Sequence, residues 1–117
     1  MIGKLFSVFR KKPILVEGAA RLEEGQSKCI QIGDSLSGDG VDIILARVGG
    51  EIFAVDKRCP HQGGFLADGP MTDGKYLTCP LHHYHFDPKN GACINASSRK
   101  ARRYKTKLVG EDLELYL

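Results

Sequence analysis

Two short elements, Cys59-Pro-His61 and Cys79-Pro-Leu-His82, each carry one thiol and one imidazole, and seventeen residues separate them. Thiolates and neutral imidazoles suit the same group of transition metals, so a repeated pair of this kind requires a fold that brings two loops to one place. A lone Cys-x-His carries little weight. Two such elements at this separation are a specific signal for a metal centre. All four histidines, His61, His82, His83 and His85, fall within one stretch of 25 residues. The four cysteines, Cys29, Cys59, Cys79 and Cys93, would permit two disulfides in an oxidising compartment. Without an export pattern at the N-terminus they read as metal ligands or buried thiols.

Both elements follow strand-like runs, ending at Val55 and Thr78. Most apolar runs in the chain are short, rich in Val and Ile, and separated by Gly and Asp, a pattern of strands and turns rather than helices. Strands are expected near residues 14–17, 28–32, 41–48, 51–55, 75–78, 84–86, 103–109 and 112–116. Gly49-Gly50 fits a two-residue hairpin turn, because glycine accepts positive φ at no steric cost. Residues 34–40 read as a longer hairpin loop, and Gly110-Glu111 as the last turn. The expected architecture is all-β, an antiparallel sandwich or small barrel. A chain of 117 residues has room for one such core, assigned to residues 13–117. Residues 1–12 form an N-terminal basic extension, within which Ile2, Leu5, Phe6 and Phe9 share one helical face.

The net charge of +3 conceals a division along the chain. Residues 1–12 carry +4, residues 13–98 carry 7 basic and 11 acidic side chains, and residues 99–117 carry 6 basic and 3 acidic. The run from Arg99 to Lys107 contains only Tyr104 for base stacking and no nucleic-acid motif accompanies it, so nucleic acid is not an expected partner. A solvated strand face, or docking to an acidic protein, explains the run better. No apolar stretch approaches the roughly 18 residues needed to span a bilayer. No integral membrane segment is expected, and the location expected is cytoplasmic.

The same four ligands, Cys59, His61, Cys79 and His82, also make up a zinc set. Zinc fingers, however, separate their cysteine pair from their histidine pair and usually place the histidines on a helix, whereas here Cys and His alternate among strands.

With these features in hand, the chain resembles the Rieske [2Fe–2S] family. The resemblance rests on the two elements and their surroundings: Gly63-Gly64, Leu66-Ala67-Asp68-Gly69 and the stretch from Phe86-Asp87 to Gly91. It implies an all-β Rieske-type domain with a cluster-binding subdomain formed by two loops, and one [2Fe–2S] cluster per chain. Cys59 and Cys79 would hold one iron, His61 and His82 the other. The chain departs from the family at His83, where glycine usually follows the second histidine ligand; His83 offers a competing imidazole one residue away, and the matching Cys-x-x-His spacing favours His82. Tyr84 and Phe86 occupy positions where high-potential relatives carry serine and tyrosine donors, and neither loop has the extra cysteine of their inter-loop disulfide. The implied role is that of a ferredoxin in electron transport, not an enzyme in itself, passing single electrons from a reductase to a terminal acceptor such as an oxygenase. The alternative within the family is the small Rieske-like subunit of an assimilatory nitrite reductase.

Overall fold

A computed structural model describes residues 13–33, 40–60 and 64–117. The helical face proposed within residues 2–9 and most of the 34–40 loop lie outside them. Nine strands are described: β1 (Ile14–Val16), β2 (Gln26–Ile32), β3 (Val41–Val48), β4 (Glu51–Asp56), β5 (Gly69–Pro70), β6 (Leu77–Cys79), β7 (Tyr84–Phe86), β8 (Arg103–Val109) and β9 (Asp112–Tyr116). Seven form one sheet in the order β1-β9-β8-β4-β3-β2-β5, and β6 and β7 form a separate hairpin. All pairings are antiparallel, as the short runs punctuated by turn residues led us to expect. One 3-10 turn, Ala19–Arg21, is the single helical piece among the described residues. Arg47 Nη1 donates to the carbonyls of Ala20 and Leu22 there, at 2.6 and 2.9 Å.

The turns follow the chemistry of their residues. Gly49 and Gly50 stand at φ 64° and 81°, the positive pair that a two-residue turn between right-twisted strands demands. The Glu24 carboxylate caps this turn, accepting from the Gly49 and Gly50 amides at 2.6 and 2.9 Å. Those amides hold its pKa below the ordinary value.

Strand β3 explains why the middle of its sequence, Ile43–Ala46, is a continuous apolar run rather than an alternation. Ile44, Ala46 and Val48 face one cluster, with Val55, Cys59, Leu66, Leu77, Cys79 and Phe86. Ile43 and Leu45 face a second, with Ile52, Ala54, Leu113 and Leu115. Successive side chains point to opposite faces of a strand, so a stretch covered on both sides is apolar at every position, while Asp42 and Arg47 fall outside it. Fully burying side chains of this size contributes about 1.5–3 kcal/mol each. The first cluster is the one that reaches the two Cys/His loops, through Cys59 and Cys79.

Strand placement departs from expectation at β2, which begins at Gln26 rather than residue 28, and at β6 and β5. The strand expected at 75–78 lies at Leu77–Cys79, because Met71 to Tyr76 form a tight turn in which the Lys75 and Tyr76 amides both reach the Thr72 carbonyl at 3.0 Å. The two-residue edge strand β5 was not anticipated. Its Pro70 lacks a ladder donor and is tolerated because β5 ends the sheet.

Candidate metal centre

The first loop leaves β4 at Asp56 and closes on itself through short backbone bonds. The Cys59 amide donates to the Gly64 carbonyl at 2.7 Å and the Leu66 amide to the Lys57 carbonyl at 2.7 Å. Cys59 is 3% exposed. His61, Gln62 and Gly63 lie outside the described residues. The second loop is the turn of the β6–β7 hairpin, where Cys79 pairs with Tyr84 and the chain reverses through Pro80, Leu81, His82 and His83. Cys79 is 1% exposed, whereas His82 and His83 are exposed. The His82 ring lies 6.0 Å from that of Tyr84.

Two contacts bring the loops together. The Ala67 amide donates to the Thr78 carbonyl at 2.8 Å. A Cβ on Gly64 would lie 3.1 Å from Cys79 Sγ and 3.6 Å from Leu81 Cβ, so the absent side chain leaves the first loop's backbone against the second loop's sulfur. Cys59 and Cys79 thus share one buried apolar cluster, with an exposed imidazole beyond them. Two buried thiols, an outward imidazole and a cradle that a Cβ would fill are a donor set that fits a cluster with mixed cysteine and histidine ligation. Among the described residues no three metal-ligating side chains are gathered on their own.

The motif residues around the loops have local tasks. Leu66 is core, and Asp68 Oδ2 accepts the Cys29 amide at 3.0 Å. The Gly69 carbonyl accepts the Ser27 hydroxyl at 2.8 Å. In the Asp87–Gly91 turn, the Asp87 carbonyl takes the Gly91 amide at 2.7 Å and its side chain takes the Lys89 amide at 2.9 Å. His85 is a hydrogen-bonding residue, its Nδ1 2.9 Å from Thr78 Oγ1, which is 2.6 Å from Thr72 Oγ1. Cys29 and Cys93 are half-buried, not the fully buried thiols expected. Burial pushes the Cys29 thiol up.

Two supporting residues escaped sequence reasoning. Asp56 is a carboxylate only 3% exposed at the root of the first loop, and the pattern Glu-Ile-Phe-Ala-Val-Asp hides it as a strand end. Its signal was Arg58 two residues on. Asn95 bonds to the backbone on both sides of Tyr84 in the second hairpin. Nothing in a stretch of small polar residues marks it. Half of the run's basic residues lie on β8, where Arg103, Lys105 and Lys107 are exposed. Arg99 instead donates from Nη2 to the Pro60 carbonyl at 3.4 Å, beside the first loop.

The geometry accords with known proteins. The family model described as "Rieske [2Fe-2S] domain" matches residues 12–113. The ferredoxin component of a naphthalene 1,2-dioxygenase system from Pseudomonas aeruginosa is 32% identical over 74 residues, covering 62% of this chain and 70% of that protein. Cholesterol 7-desaturase from Hemicentrotus pulcherrimus is 48% identical over 46 residues, covering 39% of this chain but only 10% of that protein, so the chain spans a tenth of that enzyme's length. Among solved structures, the ferredoxin of carbazole 1,9a-dioxygenase from Nocardioides aromaticivorans IC177 superposes with a TM-score of 0.73 at 22% identity, covering 91% of this chain and 98% of that one. At that identity the likeness speaks for the fold. Together with the family match over most of its length, it shows that this chain belongs to the Rieske [2Fe–2S] domain family.

Proposed function

We propose that the chain is the ferredoxin component of a multicomponent oxygenase system, taking single electrons from a reductase and delivering them to the oxygenase. Cys59 and Cys79 hold one iron of its single [2Fe–2S] cluster, and His61 and His82 the other. The observation that carries this reading is the split in exposure across the site: both thiols are buried in one apolar cluster, while His82 stands in solvent. When bound, such a cluster supplies a reversible one-electron couple, and neutral imidazoles on one iron make its reduction easier than in an all-cysteine site.

The protein's part is to present the histidine side to a partner and shield the other. Phe65 and Leu81, 57% and 53% exposed, flank the loops, with Lys57 Nζ 5.9 Å from the Phe65 ring centre and Arg99 at Pro60. An apolar centre with cations at its margin suits transient protein docking. The similarity to a dioxygenase ferredoxin component supports an oxygenase as acceptor. None of the four cysteines forms a disulfide, which agrees with work in a reducing compartment such as the cytoplasm. Among the described residues no helix is long and apolar enough to cross a membrane.

Iron analysis and EPR of the purified protein test the reading. About two irons per chain and, on reduction, the low average g of mixed ligation are expected. His82→Ala should abolish that spectrum and His83→Ala should leave it. Zinc without iron, or the reverse outcome for the two histidines, would refute the assignment.

A further inference from the structure

The turn that carries His82 is held by a residue outside both ligand motifs. His83 stands at φ 56°, in the left-handed region where an L side chain crowds the following carbonyl and which glycine enters freely. Asn95 grips the backbone on both sides of Tyr84. Its Nδ2 donates to the His83 carbonyl at 2.9 Å, and its Oδ1 accepts the His85 amide at 2.9 Å. The side chain is brought there by backbone pairing: the Ile94 amide donates to the His85 carbonyl at 2.9 Å, and Cys93 bridges Phe86. Cys93 Sγ in turn lies 3.5 Å from the Asn95 Oδ1.

We infer that Asn95 is a positioning residue for His82, made necessary by His83. With glycine after the histidine ligand the left-handed turn costs no steric strain. With histidine there, the backbone gains by rotating out of it, and that rotation would swing the preceding residue's imidazole away from the loop opposite. The Asn95 amide, by fixing the His83 carbonyl and the His85 amide together, holds the turn against that relaxation. The inference rests on the reading of His82 as an iron ligand.

The test uses the holo-protein. Asn95→Ala should speed loss of the cluster's visible absorbance to a chelator by about tenfold, the usual order for removing a group that orients a metal ligand, and should shift the EPR g values. Asn95→Asp keeps the acceptor for the His85 amide but loses the donor to the His83 carbonyl, so it should behave like the alanine variant. Being nearly isosteric, it carries the same comparison should Asn95→Ala fail to accumulate. His83→Gly placed in either background should restore retention and g values, because the turn then no longer needs the clamp. Wild-type retention in both Asn95 variants overturns the inference. So does a double variant no better than the Asn95 variant alone, since independent contacts add while coupled ones do not. Hydrogen exchange over residues 80–86 should rise in the Asn95 variant whichever histidine holds iron. Unchanged exchange sinks the clamp, whereas native g values in His82→Ala would overturn the ligand reading and leave the clamp standing.

Discussion

The Tyr104 phenol on β8 donates to Oδ2 of Asp56 at 2.9 Å, across 48 residues of sequence. Arg58 meets the same carboxylate with its amide at 2.9 Å and its guanidinium at 3.2 and 3.1 Å. One buried acid therefore ties the base of the first ligand loop to the strand that carries the basic run. Burial alone would raise the Asp56 pKa, but the bonds from Arg58 and Tyr104 outweigh it and hold the carboxyl below its ordinary 3.8. A depressed folded pKa means stability that is fully present above the unfolded value and is lost as pH falls through the folded one. Tyr104→Phe should cost about 1.5 kcal/mol at pH 7, the worth of a hydrogen bond to a charged group. Wild type should lose stability to Asp56→Asn progressively below about pH 4. Denaturant titrations at pH 7, 5, 4 and 3 measure both, and a stability gap between wild type and Asp56→Asn that does not change with pH would remove Asp56 as the cause.

Gly91 ends the Asp87 turn at φ 78°, and a Cβ there would lie 2.5 Å from the Ala101 carbonyl oxygen. The Ala101 amide donates to the Gly91 carbonyl at 2.8 Å, so backbone meets backbone and neither can give. Gly91→Ala should destabilise the fold by about 3 kcal/mol or more, combining the left-handed penalty with overpacking. Gly49→Ala, where nothing lies within 4 Å, should cost about 1 kcal/mol for the backbone alone. Comparable losses in thermal unfolding would show that the close approach is not the determinant.

At Gly64 the crowded atom is Cys79 Sγ. Gly64→Ala should therefore lower the iron content, by about tenfold in affinity, while far-UV circular dichroism stays at the wild-type level. Full iron loading would mean that the two loops do not meet as tightly as the geometry requires.

Phe86 is completely buried among the residues that surround Cys59 and Cys79, at a position where high-potential relatives carry a tyrosine donor. Without that hydroxyl the reduced cluster loses one means of stabilisation. The midpoint at neutral pH should fall in about the −150 to 0 mV part of the family's range, and Phe86→Tyr should raise it. Protein-film voltammetry decides. A wild-type midpoint above about +150 mV would show that the high end is reached without the donor.

The strands were legible because each obeys a local rule. β3 announced itself by a short run rich in Val and Ile, and the hairpins at Gly49-Gly50 and Gly110-Glu111 by glycines suited to positive φ, observed at 64°, 81° and 62°. Motif spacing singled out Cys59 and Cys79, and these are the two cysteines that share one buried cluster, whereas Cys29 and Cys93, read as buried, are half-buried. What the sequence did not disclose depends on contacts distant along the chain. Asp56 needs Tyr104 to be recognised as a buried acceptor, Asn95 needs the His83 turn, and β5 is a strand only because β2 lies beside it. The misplacement of β6 by two residues has a different origin: Tyr76 looks like strand by composition, but the turn closed on the Thr72 carbonyl claims it first.

The uneven burial of the four thiols gives the protein two classes of cysteine for covalent chemistry. Cys59 and Cys79 are almost fully buried, while Cys29 and Cys93 are half-buried. Alkylating reagents and dioxygen reach accessible thiolates first, so Cys29 and Cys93 will take up a probe or age in air before the buried pair does. Because burial raises the Cys29 pKa, its share of thiolate at neutral pH is reduced. Labelling is thus within reach at the two outer cysteines, with the loop sulfurs left untouched.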